Sequence, residues 1–278
     1  MISPLKRPRR KRLSGQSFNR MIPNLMTLIG LCVGLSSIRL AMDGKFGYAV
    51  IAIAVSAVID GLDGRLARLL RATSRFGAEF DSLADFLCFG IAPGLVIYMW
   101  SLQNWGAIGF LPPLMFTSAM ALRLARFNAA LDSAPPAAFA YNFFTGVPAP
   151  AGAGLALLPL FLGLEADQLH LIWLREIVGF PLLTGAVLVA VALLCVSTLP
   201  VWSFKNFKVP TAAVLPLLLG VVAFAAILFA DPYAAGALLA GAYVVMLPFS
   251  LRSYRRLAAE AQARRGEMAD EGTTAERI

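Results

Sequence analysis

Apolar runs of about 20 residues follow one another from residue 22 to residue 250, and this limits what the chain can fold into more than any other feature. At about 1.5 Å of rise per residue, a helix of that length crosses a hydrocarbon core of about 30 Å. No water reaches backbone groups in that core, so each run has to close its hydrogen bonds internally, as a helix does. Charged residues make up 14% of the chain, far below the roughly 25% of a soluble domain. The pattern predicts an all-α, polytopic transmembrane bundle of about eight spans, at 22–42, 45–63, 80–100, 106–130, 143–163, 177–199, 211–230 and 232–250. "ADP" around Asp231 separates the last two, which reads as a tight hairpin or as one broken helix. No long polar linker divides the chain. It reads as a basic segment (1–21), one transmembrane domain (22–250) and a tail (251–278) that begins helical and then loses its apolar pattern, so a short surface helix followed by disorder is expected there.

Charge orients the spans, because cytoplasmic flanks keep an excess of Lys and Arg. The net charge is +8, and of the 24 basic residues only Arg39, Lys45 and Arg175 fall near the opposite face. Both termini are therefore expected in the cytoplasm. "KRPRRKR" (6–12) suits either anionic headgroups or simple orientation of the first span, and calls for no nucleic acid. Cys32, Cys88 and Cys195 are isolated within apolar spans, a spacing that fits neither a metal site nor a disulfide framework. His170, the only histidine, falls in a loop on the non-cytoplasmic side and reads as an interfacial residue. Gly30 with Gly34 and Gly90 with Gly94 have the spacing of close helix contacts. Pro112, Pro148, Pro150 and Pro159 mark kinks or span ends.

Against this background "DGLDGRLARLLRATSRFGAEFDSLAD" (60–85) is out of place. With Asp60 at the origin of a helical wheel, Asp63, Gly64, Ala67 and Arg68 fall within about 80° of it. Asp81 and Asp85 stack four apart on the next helix, with Gly77 one turn earlier. "TSRF" (73–76) allows the turn, so two antiparallel helices can face four carboxylates toward one another. Unpaired at membrane depth they would cost on the order of 10 kcal/mol together. Pairing with Arg65, Arg68, Arg71 and Arg75 relieves this only in part, since Arg65 lies on another face. Hard oxygen ligands suit divalent cations, and two such ions balance four aspartates and can clamp phosphate oxygens. Small residues beside the carboxylates leave room for a bulky ligand, and Arg68 can take a phosphate bidentately. The reading is a metal site for a nucleotide diphosphate. An ion-paired hairpin and a cation transporter or channel are the alternatives.

The same residues resemble the signature of the CDP-alcohol phosphotransferases. D-x-x-D-G-x-x-A-R, eight residues, then G-x-x-x-D-x-x-x-D is met by Asp60, Asp63, Gly64, Ala67, Arg68, Gly77, Asp81 and Asp85. The resemblance implies a six-span core and Mg²⁺ or Mn²⁺, with two ions expected. It implies Asp60, Asp63, Asp81 and Asp85 around metal, Asp85 as general base, and Gly64, Ala67, Arg68 and Gly77 around the CDP group of CDP-diacylglycerol. "IPNLMT" (22–27) looks like the family's entry to the nucleotide site, which adds Asn24 and Thr27, although an ordinary helix cap at Asn24 fits as well.

"ALRLARFN" (121–128), "FTGVPAPAGAG" (144–154), "STLPVWSFK" (197–205) and "SLADFLCFGIAP" (82–93) resemble, more loosely, the branch whose acceptor is L-serine. Arg123, Arg126 or Lys205 could take the serine carboxylate and Asn128 could hydrogen-bond it, or the basic residues could be orientation signals only. Glycerol-3-phosphate, an inositol phosphate or choline as acceptor would keep the same chemistry. The resemblance also implies a multi-pass protein of the inner membrane, its site facing the cytoplasm among membrane lipid, and a homodimer.

Overall fold

The computed structural model describes residues 21–131, 143–202 and 211–275. Helices dominate them: α1 (Ile22–Met42), α2 (Phe46–Leu69), α3 (Arg75–Gly109), α4 (Leu111–Leu131), α5 (Ala149–Ala156), α6 (Leu158–Gln168), α7 (Ile172–Val178), α8 (Pro181–Val196), α9 (Thr211–Ala230) and α10 (Pro232–Ala275). The expected helical bundle is found. Among the described residues, however, four helices are long and apolar enough to cross a membrane (α1, α2, α3 and α10 up to Leu257), or up to six if each of two bent pairs counts as one span. Those pairs are α5 with α6, bent by 44°, and α7 with α8, bent by 52°. Pro159 and Pro181 sit in the first turn after each bend, where a missing N–H costs nothing. Pro112, Pro148 and Pro150 likewise stand at helix starts.

Two boundaries differ from the sequence reading, and one that it left open is resolved. Residues 143–145 are not part of a span: β1 (Phe143–Thr145) pairs antiparallel with β2 (Pro200–Trp202), Phe144 opposite Val201. No alternation in so short a stretch announces a strand. Asp231 ends the ambiguity of "ADP": its Oδ1 accepts from Tyr233 N–H at 3.0 Å and Ala234 N–H at 3.1 Å, capping α10, and Pro232 follows. α9 and α10 are thus separate helices packed together. α10 then runs on to Ala275, well beyond the short surface helix expected.

α3 is the centre of the bundle. Half of its apolar window is buried, against 28% for α1 and α2 and 17% for α10. Phe89, Val96 and Ile97 pack there with Phe116 and Met120 of α4 and Leu188 and Cys195 of α8. The paired glycines lie where helices approach. A Cβ at Gly90 would be 3.1 Å from Met120, and one at Gly34 would collide with Cys88 Sγ. α3 departs from α geometry in two π-turns, Phe86–Ile91 and Tyr98–Leu102. The first begins directly after Asp85, and such turns recur at functional sites.

The joint between α2 and α3 positions the acidic residues. α2 ends in a Schellman motif, with Ala72 N–H on Ala67 O at 2.9 Å and Arg71 N–H on Arg68 O at 3.2 Å. Arg71 occupies its left-handed position, at φ +50°. Ser74 then caps α3, its Oγ accepting from Gly77 N–H at 3.0 Å.

Candidate metal and nucleotide site

The reversal at residues 70–74 sets the end of α2 beside the start of α3. Carboxylate oxygens of Asp60, Asp63 and Asp81 all lie within 4.8 Å of one another. Asp63 is nearly inaccessible, at 3% exposure, whereas Asp60 and Asp81 remain partly open. Asp85 stands outside this trio, its carboxyl against that of Asp60. Its Oδ1 is buried without a hydrogen-bond partner. Thr27, Ser56, Asp60, Asp63, Asp85 and Cys88 line a small cavity at this point.

Among the described residues, none of Arg65, Arg68, Arg71 or Arg75 forms an ion pair with these aspartates. The ion-paired hairpin is therefore not what relieves the cluster. Three converging carboxylates with no cationic partner, and an orphaned carboxyl oxygen beside them, are a donor set that fits hard divalent cations.

The residues expected around the nucleotide flank the trio. A Cβ on Gly64 would meet nothing nearer than Arg68 Nη1 at 3.9 Å, so the space beside α2 is open there. Arg68 is exposed at the rim and Ala67 is half-buried. Gly77 faces α1: a Cβ there would come to 2.9 Å of Asn24 Oδ1. Asn24 thus borders the site. Thr27 does something the sequence did not suggest. Its hydroxyl donates to Asp63 Oδ2 at 2.6 Å and contacts Pro23 O at 3.1 Å.

On the acceptor side the expected residues part company. Arg126 is engaged with backbone: Nη1 donates to Val196 O at 2.7 Å, and Nη2 to Ser197 O at 3.1 Å and Thr145 O at 3.3 Å. It holds the C-terminal end of α8 and the ribbon onto α4. Those backbone bonds occupy its fork of donors. Arg123 gives Nε to Val147 O at 2.6 Å, and its charge acts on Asp85. Asn128 Nδ2 donates to Ser82 Oγ at 3.1 Å, tying α4 to the residue after Asp81. Lys205 lies outside the described residues. Sequence reasoning passed over Ser82, Ser56 and the Thr27 bond. Helical phase alone could have placed Ser56 one turn before Asp60, but the other two are contacts between helices.

The model of the CDP-alcohol phosphatidyltransferase family matches residues 20–196, from α1 through α8. The chain belongs to this family. As a CDP-alcohol phosphatidyltransferase it has its family-matched part end before α9 and α10. It is 38% identical over 243 residues to a CDP-diacylglycerol–serine O-phosphatidyltransferase of Mycobacterium bovis, covering 86% of this chain and 81% of that one. A Helicobacter pylori protein of the same name is 36% identical over 225 residues, 81% of this chain and 88% of the relative. An archaetidylserine synthase of Methanothermobacter thermautotrophicus is 32% identical over 137 residues, 48% of this chain and 54% of the relative.

Proposed function

We propose that the chain is a CDP-diacylglycerol–serine O-phosphatidyltransferase, making phosphatidylserine and CMP in phospholipid biosynthesis. One observation carries the reaction type: Asp60, Asp63 and Asp81 converge with no basic partner among the described residues, and Asp85 is next to them. The acceptor rests on the named relatives. Those quoted above differ in the lipid their names imply, yet each name specifies serine.

In this reading Asp60, Asp63 and Asp81 hold a divalent cation, Mg²⁺ or Mn²⁺, with a second ion sharing Asp85. Bound metal would neutralise the diphosphate and ease departure of CMP. Gly64 and Ala67 leave space for the CDP group, Asn24 of α1 and Gly77 of α3 close it, and Arg68 meets the diphosphate from the rim. Asp85 accepts the serine hydroxyl proton as that oxygen attacks the lipid-side phosphorus. The serine oxygen–phosphorus bond forms, the phosphorus–oxygen bond to CMP breaks, and the acyl chains stay among the helices. Of the basic candidates, Arg123 is best placed for the serine carboxylate, because its charge acts on Asp85 and Val147 takes only its Nε. The site faces the cytoplasm from the inner membrane, as the distribution of Lys and Arg argues. Residues 22–250 form the catalytic domain between two basic flanks, and a homodimer is the assembly that the family likeness suggests.

Purified protein given CDP-diacylglycerol and a panel of acceptors, with Mg²⁺ and Mn²⁺ compared, tests this. Serine-dependent CMP release is expected. CMP release that needs glycerol-3-phosphate or an inositol phosphate, and ignores serine, would reassign the acceptor. Metal-independent flux of cations with no CMP release would return the cluster to transport.

A further inference from the structure

The motif reading sets Thr27 beside the nucleotide, but the structure gives its hydroxyl another partner. We propose that Thr27 is a positioning residue that orients Asp63 toward the metal, and that it does not contact the nucleotide. This rests on the aspartate trio being the metal site. Thr27 is 8% exposed and Asp63 3%, so neither group has water to compete for the bond between them. A threonine hydroxyl has one proton. The 2.6 Å approach to Asp63 Oδ2 is shorter than the 3.1 Å to Pro23 O, and the carboxylate is the charged acceptor. With Oδ2 fixed in this way, the Asp63 carboxylate is held where it converges with Asp60 and Asp81.

The sequence around Thr27 builds this contact. The buried stripe of α1 runs Pro23, Thr27, Gly30, Gly34, Ser37, Ala41. Every side chain on it is small. A Cβ at Gly30 would lie 3.1 Å from Ile59 Cγ2 and one at Gly34 would lie 3.0 Å from Ser56 Oγ, so α1 and α2 meet almost backbone to backbone. Only at that separation does a short hydroxyl on α1 reach a carboxylate on α2. Asn24 and Thr27, three residues apart, thereby divide the work: Asn24 borders Gly77, and Thr27 serves the metal ligand. Groups that orient a metal ligand from behind cost about 10- to 100-fold in metal affinity when removed.

Mn²⁺ binding to the full-length purified protein, followed by electron paramagnetic resonance without any lipid substrate, is the test. Thr27→Val keeps shape and removes the hydroxyl; it should weaken Mn²⁺ binding about tenfold or more, while Thr27→Ser should restore it to near the parent value. At saturating Mn²⁺ the KM for CDP-diacylglycerol of Thr27→Val should match the parent. Thr27→Ala, with thermal melting of each variant, separates loss of the bond from loss of the fold. Normal Mn²⁺ affinity in Thr27→Val, with binding lost in Asp63→Asn, would overturn the role of Thr27 alone. A raised KM at saturating Mn²⁺ with normal affinity would return Thr27 to the nucleotide. Equal weakening in Thr27→Val and Thr27→Ser would make it a packing effect. Unchanged Mn²⁺ binding in Asp63→Asn would instead remove the metal reading beneath the proposal.

Discussion

At the scale of single residues, the four aspartates are unequal. Asp63 is held on both its exposure and its hydrogen bond, Asp60 and Asp81 complete the trio, and Asp85 stands beside it with a free oxygen. Replacing Asp85 by Asn should therefore lower serine-dependent CMP release by at least about 100-fold, the lower end of what a general base contributes. Mn²⁺ affinity at the Asp60, Asp63 and Asp81 trio should change far less than in Asp81→Asn. A parental rate in Asp85→Asn would remove it as the base. Arg126 illustrates the opposite lesson. Its charge looked like an acceptor-site feature, but its donors end on carbonyls of β1 and α8. Arg126→Ala should cost about 2–3 kcal/mol by leaving those carbonyls unsatisfied, and should lower the melting temperature. A variant with unchanged melting and a raised KM for serine would reverse that assignment.

At the scale of elements, the helix ends and the helix contacts are separately testable. Arg71 sits in the left-handed region that suits glycine, where a side chain costs roughly 1–2 kcal/mol. Arg71→Gly recovers that strain and loses some chain entropy, so a net gain of about 0.5–1 kcal/mol is expected from melting. His170 occupies the equivalent position after α6, with Leu171 N–H on Ala166 O at 2.8 Å. The lone histidine is thus a helix-terminating residue in a loop, as its place in the sequence implied. Gly34 against Cys88 tests the central contact. Gly34→Ala should destabilise by about 1–3 kcal/mol, and Cys88→Ala in the same chain should recover part of it, a coupling readable in a double-mutant cycle. Purely additive effects would mean that α1 and α3 do not meet there.

At the scale of the whole molecule, metal and membrane govern activity together. Chelation should abolish CMP release, and either Mg²⁺ or Mn²⁺ should restore it. If the proposed topology holds, tags at both termini should be reached by protease only after the cells are permeabilised, because it puts 21 of the 24 basic residues on the cytoplasmic side. An N-terminal tag cleaved in intact cells would invert the topology. The helix pair α9 and α10 is attached to the family-matched part at defined points: Ser250 Oγ donates to Pro200 O at 2.8 Å, and Gly236 packs on Phe161. That attachment keeps the ribbon below the ends of α4 and α8, where Arg126 also binds it.

The sequence alone determined the bundle and the acidic face, because each depends on composition or on local helical phase. Long apolar runs admit only helices in a membrane, and spacings of three and four residues put Asp60 with Asp63 and Asp81 with Asp85. Asp231 and Pro232 likewise end one helix and start another by local chemistry. Tertiary structure decided what those faces meet. Which carbonyls Arg126 and Arg123 bind, where residues 143–145 pair, and which hydroxyl reaches Asp63 are all distances between segments far apart in the chain. A side chain's list of possible hydrogen bonds can be read from its type, but the partner that uses one depends on which helices the small residues allow to touch.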